Sequence, residues 1–252
     1  MKIFNSVETV DGLPAIFLKK EGILAISDTH LGYELYLAEK GMYIPQLQLK
    51  EMLQNLKEAY ELTGARTLLI NGDMKHEFGE ASRQEWREVR EFVTFAKKMF
   101  EEVVLVRGNH DNYLLSITSK LGIEVFDPFY LRNGKCFLHG HKKVKLPWEE
   151  IEILIIGHEQ PALLLRRGFD KIKIPCILYG KMKNGKRIIC IPSFSPLSSG
   201  TPINMMDKEE LLSPYLREEV DLMEMEVIGI DKEVGALKFP KLKKIIGDED
   251  EK

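Results

Sequence analysis

Short apolar runs that end in polar motifs constrain the fold of this chain more than any other feature. Four of them occupy residues 22–27, 67–70, 103–106 and 151–156. Their length and apolar character are typical of strands that are buried on both faces of a sheet. Two longer segments with helical spacing, at 46–62 and 82–101, separate the first three runs. Because the order is strand, helix, strand, helix, strand, we predict parallel strands joined by crossover helices.

The later half of the chain carries a different pattern. One Asn-Gly pair lies within residues 130–138 and another within residues 176–191. Because Asn-Gly is a strong signal for a two-residue turn, we predict a β-hairpin at each place. Further predicted elements are helices at 114–121 and 207–217 and strands at 223–230 and 237–242. The expected fold class is α/β, with a more antiparallel second sheet packed on the first.

Size and composition suit a globular protein. The chain has 252 residues and 44% hydrophobic residues, and we expect one domain over residues 1–247 with a flexible acidic tail over residues 248–252. Its apolar runs are far shorter than the ~20 residues of a membrane helix, and its first residues show no signal-peptide pattern. Its three cysteines form no Cys-x-x-Cys pair. We therefore expect a cytoplasmic protein without membrane contact or disulfide bonds.

Charge and strand content bear on partners. A formal net charge of −3 argues against coating nucleic acid by electrostatics alone, since that task usually requires a strongly basic domain. The apolar strand at residues 223–230 leaves two alternatives open. It completes the second sheet within the chain, or it pairs between the subunits of a homodimer.

All six histidines lie in short polar motifs placed just after apolar runs. The motifs are, in order, Asp28-Thr29-His30, Asp73-Met74-Lys75-His76, Asn109-His110-Asp111, His139-Gly140-His141 and Gly157-His158. In an open α/β sheet, the carboxyl ends of several strands place side chains around one point. Carboxylate oxygens and imidazole nitrogens suit divalent manganese, iron, zinc or cobalt, and one carboxylate can bridge two ions about 3.5–4 Å apart. The pattern therefore predicts a metal site suited to in-line phosphoryl displacement.

The order and context of these motifs resemble the calcineurin-like metallophosphoesterase superfamily. Its signature runs Asp-x-His, Gly-Asp-x-x-Asp, Gly-Asn-His-Asp/Glu, His, Gly-His-x-His, and the resemblance covers residues 23–161. Residues 71–79 and 191–200 look like an archaeal branch related to the SbcD-type nuclease. The resemblance implies a mixed two-sheet β-sandwich flanked by helices, which is a four-layer αββα fold.

The resemblance also implies two divalent metal ions. Manganese is the first candidate, and iron, zinc, cobalt and nickel are the alternatives. Position by position, it makes Asp28 and His30 ligands of the first ion, Asp73 the bridge, and Asn109, His139 and His158 ligands of the second. The plain alternatives are a capping or turn aspartate, a loop histidine and a turn asparagine.

Position 160 departs from the superfamily pattern, which would place a histidine there as a further ligand of the first ion. This chain offers Glu159 or Gln160 instead. A neutral amide oxygen binds a metal more weakly than imidazole does. We therefore expect a first ion that is labile, replaced or held with an extra water, and the occupancy of the first site stays open.

The remaining motif residues receive roles from the same resemblance. His110 is the expected proton donor to the leaving alkoxide, and Asp111 is expected to orient it; a purely structural His-Asp pair is the alternative. His141 is expected to contact phosphate or support the metal ligands, with an exposed loop histidine as an equal alternative. His76 stands where the superfamily usually has an acid, and substrate contact is the expectation for it.

The resulting functional prediction is hydrolysis of phosphodiesters, in nucleotides or at nucleic-acid ends, through a metal-bridging hydroxide. Two other classes stay open. Gln160 motivates a catalytically weakened module that binds a nucleic-acid-processing partner. A phosphomonoesterase or phosphoprotein phosphatase is the third class, and it usually needs extra arginines beside the phosphate. Arg107 is the nearest candidate, but strand alternation could point it away.

Overall fold

Two β-sheets packed face to face form the centre of the computed structural model, which describes residues 1–167 and 170–250. The strands of the first sheet lie in chain order. They are β1 (Lys2–Phe4), β2 (Val7–Val10), β3 (Leu13–Leu18), β4 (Ile23–Ile26), β5 (Thr67–Asn71), β6 (Glu102–Val106) and β7 (Glu124–Phe126). Strands β1 to β4 pair antiparallel, whereas β4 to β7 pair parallel. The parallel part is the part that the spacing of apolar runs and helices predicts.

The second sheet is mixed. Its strands are β8 (Phe129–Arg132), β9 (Lys135–Leu138), β10 (Ile153–Ile156), β11 (Pro161–Arg167), β12 (Asp170–Lys181), β13 (Arg187–Cys190), β14 (Thr201–Pro202), β15 (Glu226–Asp231) and β16 (Gly235–Phe239). Their spatial order is β14-β11-β12-β13-β10-β9-β8, while β15 pairs with β12 and with β16. Both predicted hairpins are confirmed, as β8–β9 and β12–β13. Strand β15 pairs inside the chain, so the second sheet is completed internally.

Helices cover the outer faces of the two sheets. They are α1 (Tyr33–Glu39), α2 (Gln48–Thr63), α3 (Arg83–Ala96), α4 (Leu115–Leu121), α5 (Pro214–Glu218) and α6 (Leu242–Asp250). Helix α3 begins at a capping box, in which Ser82 and Glu85 each satisfy a backbone N–H of the other. Helix α2 ends where Gly64 adopts a left-handed conformation, which glycine reaches without steric cost. Across the described residues, each helix is too short or too polar to cross a lipid bilayer.

Alternating residues of the central strands face two different cores. Leu24 and Ile26 pack under helices α2 and α3, whereas Ile23 and Ala25 face the second sheet. Strand β10 repeats the arrangement, with Ile155 toward the first sheet. Burying one such aliphatic side chain stabilises the fold by about 1.5–3 kcal/mol, so a strand that is apolar on both faces is anchored from both sides. The predicted four-layer αββα sandwich is confirmed.

Several predicted boundaries were wrong, and prolines explain two of them. The helix predicted at 207–217 is a 3₁₀ turn (Lys208–Glu210) followed by α5, because Pro214 forces Ser213 before it into an extended conformation. The strand predicted at 237–242 ends at Phe239, before Pro240. The helix predicted at 82–101 ends at Ala96.

Both ends of the chain contain strands or helices that the sequence analysis did not predict. Strands β1 to β3 lie in a region that carried no prediction. Residues 248–250, part of the predicted acidic tail, belong to helix α6, while residues 251–252 lie outside the described residues.

Candidate metal centre

Five strand ends meet at one edge of the sandwich and carry the predicted site. Strands β4, β5 and β6 of the first sheet and β9 and β10 of the second run parallel within their sheets. Asn71, at the end of β5, joins the two sheets because its side-chain amide donates to the carbonyls of Leu138 (3.2 Å) and Ile155 (3.3 Å). The loops that follow these strands therefore converge on one point, as the sequence pattern predicts.

One group of ligand atoms comes from the first sheet, and we call it the first half of the centre. Asp28, His30 and Asp73 each bring a ligand atom within 4.8 Å of the other two. All three side chains are buried, and His30 Nε2 lies 3.9 Å from Asp28 Oδ1. Two carboxylates and an imidazole in this arrangement fit an intermediate divalent cation.

A second group joins both sheets, and we call it the second half. Asp73, His139 and His158 again bring ligand atoms within 4.8 Å of one another. His139 Nε2 lies 3.1 Å from Asp73 Oδ2 and 3.1 Å from Asn109 Oδ1. Asp73 belongs to both halves, which is the position that a bridging carboxylate requires. The residues present therefore fit a pair of divalent cations.

The site residues hold unusual backbone conformations. Positive φ angles occur at Asp28 (53°), His30 (44°), Asp73 (51°), His158 (62°) and Gln160 (51°). Among the non-glycine residues that the structure describes, a sixth such angle occurs only in a hairpin turn far from the site. Each costs roughly 1–3 kcal/mol and persists only where surrounding contacts hold it. Backbone strain is thus concentrated at the ligands.

Three glycines let the loops approach this closely. Gly72, Gly108 and Gly157 each directly precede a predicted ligand. A Cβ atom would lie 2.2 Å from the ring of His139 at Gly72 and 2.2 Å from the Asp73 carboxylate at Gly108. At Gly157 the nearest atom, a side-chain hydroxyl, would be 1.9 Å away. Real Cβ atoms do not approach other atoms this closely, so any side chain here would displace the ligand loops.

Hydrogen bonds orient the ligands. The Nδ1 of His139 lies 3.0 Å from the Asn71 carbonyl, and with a proton on Nδ1 it presents Nε2 as the ligand atom. The second oxygen of Asp28 accepts hydrogen bonds from the Ser27 hydroxyl (2.5 Å) and the His158 backbone N–H (3.0 Å). The carboxylate that serves the first half is thereby fixed by the loop of the second half.

Burial and mutual charge set the pKa values of the ligands. Burial, together with the charge of Asp73, raises the pKa of Asp28 to about 6. Burial lowers the pKa of His30 and of His158 to about 3, so both rings are neutral at pH 7. Burial opposes charge on Asp73 and His139 as well, but their attraction lowers the pKa of Asp73 and raises that of His139 to about 10.

The departure at position 160 has a clear geometry. The amide nitrogen of Gln160 lies 2.9 Å from His30 Nε2 and 3.2 Å from Asp28 Oδ1, while its oxygen accepts a hydrogen bond from the Ser198 hydroxyl. A half-turn of the amide would bring the oxygen toward the ligands instead. Glu159, the other candidate, is turned away, because its carboxylate accepts from the Ser213 N–H at 2.8 Å. The first half therefore holds three strong donors and, at most, a neutral amide oxygen.

His110 lies beside the shared carboxylate. Its backbone N–H donates to Asp73 Oδ1 (2.9 Å), its Nε2 lies 3.8 Å from Asp73 Oδ2, and its Nδ1 contacts the His76 carbonyl oxygen. The carboxylate of Asp111 does not take the predicted orienting position. It accepts from the N–H groups of Gly108 (2.8 Å) and Met74 (2.9 Å), so it ties two ligand loops together. The backbone of His76, and not Asp111, orients the His110 ring.

The two histidines predicted to touch substrate lie on opposite sides of the centre. His76 has its ring 4.2 Å from that of Tyr33 and 4.6 Å from that of Tyr36. His141 has its ring 5.5 Å from the ring of His139, and it belongs to none of the ligand groups among the described residues. Burial lowers the pKa of both to about 4.

A cavity of about 340 Å³ opens over the centre, between loops that follow strands of both sheets. His110, Tyr33, Ser198 and Leu212 line it. The serine belongs to the 191–200 stretch that the resemblance singles out, although no role follows from the sequence. The tyrosine carried no signal, because α1 was not predicted.

Arg107, the candidate phosphate-binding arginine, points away from the cavity. It forms an ion pair with Asp127 (2.6 Å) and donates to Asn112 (2.8 Å). The alternative in which strand alternation turns this side chain outward is the one observed.

Comparison with known proteins agrees with this geometry. Residues 22–199 match the sequence pattern of the calcineurin-like phosphoesterase family. None of the curated proteins compared with the chain matches it. Among solved structures, the nuclease MPE of Pseudomonas putida is 17% identical with a TM-score of 0.63, over 90% of this chain and 93% of that chain. This similarity shows a shared fold.

Two further solved structures have lower TM-scores. A protein of unknown function from Aquifex aeolicus is 23% identical with a TM-score of 0.36, over 58% of this chain and 81% of that chain. The phosphoesterase YfcE from E. coli is 16% identical with a TM-score of 0.38, over 81% of this chain and 86% of that chain. The family pattern covers more than half of the chain. The chain therefore belongs to the calcineurin-like phosphoesterase family of metal-dependent phosphoric ester hydrolases.

Proposed function

We propose that this protein is a phosphodiesterase acting on nucleotides or nucleic-acid ends. One observation carries the proposal: two ligand groups share Asp73, and the Nε2 of His110 lies 3.8 Å from the same carboxylate. A phosphate placed over Asp73 would thus lie beside two cations and one proton donor. The cavity above is open to a substrate from solvent.

The residues divide the work of holding the cations. Asp28, His30 and Asp73, with Gln160 as a weak donor, would hold one ion, and Asp73, Asn109, His139 and His158 would hold the other. When bound, the two ions, manganese foremost, would supply a nucleophile at neutral pH and neutralise charge on the phosphoryl oxygens. Asp73 would keep the two positions at a fixed separation.

His110 serves the leaving group. Its Nδ1 contacts the His76 carbonyl oxygen, so a proton on Nδ1 fixes the ring and leaves Nε2 directed at the centre. When the ring is cationic, Nε2 can deliver a proton to the departing oxygen, a contribution of typically 10²–10⁴-fold in rate. A sugar alkoxide is a poor leaving group, so a diester of this kind gains most from such a proton.

Aromatic side chains beside His110 support a nucleotide as substrate. The ring of Phe78 stacks on that of His110 at 3.7 Å, and the Phe78 side chain is 56% exposed. Tyr33 lines the same cavity. Exposed aromatic faces stack on nucleobases with little sequence preference. MPE of Pseudomonas putida, which shares the fold, is a nuclease.

The experiment compares diester and monoester hydrolysis. With manganese, we expect bis-p-nitrophenyl phosphate to be hydrolysed faster than p-nitrophenyl phosphate, and Asp73→Asn to lower the diester rate at least about 10³-fold. Asp127→Asn is the matched control, because Asp127 pairs with Arg107 away from the centre. Equal residual rates in the wild type and Asp73→Asn would discredit catalysis, and a preference for monoesters or phosphoserine peptides would reverse the substrate assignment.

A second candidate function rests on the amide of Gln160, which presents its nitrogen to the ligands of the first half. A centre that holds only one ion would suit a weakened module that binds a nucleic-acid-processing partner. Metal counting at saturating manganese separates the two. Two ions per chain favour the hydrolase, whereas one ion together with no diester turnover favours the binding module.

A further inference from the structure

Three histidines, one of them a ligand of the first half, form a further group of possible metal ligands at the centre. His30, His76 and His110 each bring one ring nitrogen within 4.8 Å of the other two. We propose that these rings form a third cation site, suited to Zn²⁺, whose occupancy inhibits hydrolysis. The inhibition rests on the proposed function, in which His110 donates a proton, whereas the binding of the cation does not.

The rings already have the spacing of a zinc site. Their centres are 5.1 Å apart for His30 and His110, 5.3 Å for His30 and His76, and 5.6 Å for His76 and His110. With Zn–N bonds of about 2.0–2.1 Å, tetrahedral coordination places imidazole centres roughly 5 Å apart. A zinc ion at the centre of the triangle would find three protein ligands and one position free for solvent.

Ring nitrogens are available for such an ion. Within the described residues, the Nδ1 atoms of His30 and His76 are buried and have no hydrogen-bond partner. A buried polar atom without a partner is costly, and a bound cation would satisfy it. His30 directs Nε2 toward Gln160 and Asp28, so it would bind the third cation through Nδ1. The Nδ1 proton would be released to solvent, and the resulting imidazolate would bridge the third cation and the ion of the first half. His110 would bind through Nε2, since its Nδ1 contacts the His76 carbonyl.

The donor set of the triangle favours zinc over manganese, the first candidate for the catalytic pair. Imidazole suits zinc, copper and nickel, whereas magnesium and manganese prefer carboxylates, carbonyls and water. The triangle consists of imidazoles alone, while each half of the centre includes carboxylates. The Asp73 carboxylate, 3.8 Å from His110 Nε2, would still supply nearby negative charge. Zinc would therefore bind here in preference to manganese, and an excess of manganese would keep the two halves occupied by manganese.

The loop that carries His76 is held in place before any ion binds. The Glu85 carboxylate accepts from the N–H groups of His76 (3.2 Å) and Glu77 (2.8 Å). Lys75 is fully buried and donates to the Gly79 carbonyl (3.0 Å). Binding would cost little reorganisation, because the loop and ring positions are already fixed.

Occupancy would withdraw the proton donor. A zinc ion on Nε2 of His110 removes the lone pair that carries the proton to the leaving oxygen. Zinc would then lower the rate while manganese stays bound, and it would do so most for substrates with poor leaving groups. The triangle of histidines would therefore be an inhibitory zinc site.

Zinc binding to the manganese-saturated protein tests the site without reference to activity. By equilibrium dialysis, we expect a zinc-binding step that His76→Gln weakens by about tenfold or more, because one of three ligands is lost. His141→Gln is the matched control, since His141 lies next to the centre but outside the triangle. A step that is absent in the wild type, insensitive to His76→Gln, or equally weakened by His141→Gln would overturn the proposal.

A measurement on the wild type keeps the proposal testable if the variant fails to fold. Zinc-edge anomalous diffraction from manganese-grown crystals soaked in zinc should show a peak between the three rings. Zinc found only at the two halves of the centre would overturn the site.

The inhibitory role has its own readout. The zinc concentration that halves each enzyme's own uninhibited rate should rise about tenfold or more in His76→Gln and stay unchanged in His141→Gln. If His76→Gln loses zinc binding but is inhibited by zinc as before, the inhibitory role of the site is wrong. Failure of diester hydrolysis altogether would overturn the proposed function and leave the zinc site intact.

Discussion

The two halves of the metal centre share Asp73 but differ in the strength of their other donors. The second half adds two imidazoles and an amide oxygen drawn from both sheets. The first half adds Asp28 and His30, and both of these side chains contact the amide nitrogen of Gln160. The carboxylate bridge and the strained loops are common to both halves. The side chain at position 160 therefore determines how similar the two halves are in their affinity for a metal ion. The fold provides two metal-binding sites, and residue 160 determines the difference in affinity between them.

Replacing His110 should separate catalysis from both halves, with the largest expected effect. His110→Gln removes the proton donor but none of the ligands of the catalytic pair, so manganese should bind as in the wild type. We expect kcat for a nucleotide diester with a sugar leaving group to fall about 10²-fold or more, and much less for a p-nitrophenyl diester, whose leaving group needs no proton.

Steady-state rates with the two substrates, beside a manganese titration, check this prediction. An equal loss for both leaving groups, with unchanged metal binding, would show that His110 acts by another route. A loss of manganese would place the ring among the ligands.

Crowding the junction of the two halves should destabilise the whole centre. Gly157→Ala places a Cβ 1.9 Å from the Ser27 hydroxyl and 2.7 Å from the Asp28 carboxylate. We expect the free energy of unfolding to fall by about 1–3 kcal/mol, with weaker manganese binding in both halves. Gly79→Ala is the matched control, because no atom beyond the adjoining residues of the chain lies within 4 Å of the added Cβ. Denaturant unfolding measures both, and equal stabilities would contradict the close approach.

Introducing a histidine at position 160 should bring the manganese affinity of the first half closer to that of the second. Gln160→His exchanges a neutral amide for an imidazole, and we expect the weaker manganese-binding step to tighten by about tenfold. Gln160→Ala should weaken that step no more than about threefold, because the amide in this structure presents its nitrogen and not its oxygen to the ligands. Calorimetric titration with manganese reports both. A large loss in Gln160→Ala would mean that the amide oxygen is already a full ligand.

The number of protons released on metal binding should differ between the two halves, and this is the smallest of the expected effects. The attraction of Asp73 raises the pKa of His139 to about 10, so the second half must lose about one proton per ion bound at pH 7–9. The first half should lose none there, since burial lowers the pKa of His30 to about 3 and raises that of Asp28 only to about 6. Affinity of the second half therefore rises with pH, whereas that of the first is flat above pH 7.

Calorimetry in buffers of different ionisation enthalpy counts these protons. Release from both binding steps, or from neither, would contradict the assignment of charge to His139.

Much of the site could be predicted because each ligand motif follows its own strand. A strand end places its next residues at the sheet edge, so the order of the motifs along the chain, together with the family resemblance, was enough to predict Asp28, Asp73 and His158 as ligands. Gly108 was likewise recognisable as a point of close approach, and the structure gives the distance. The contacts of Asp111 were not recognisable, because its partners are backbone N–H groups on two loops whose meeting depends on packing.

The sequence by itself determined the alternation of strands and helices, the order of the motifs and the types of donor, because these are written in local spacing and residue chemistry. Only the tertiary structure decided which way the amide of Gln160 points, that Arg107 faces away, and that His76 completes a triangle with two rings from other loops. Those outcomes depend on the relative placement of segments far apart in the chain, which packing of the two sheets sets and no local pattern encodes.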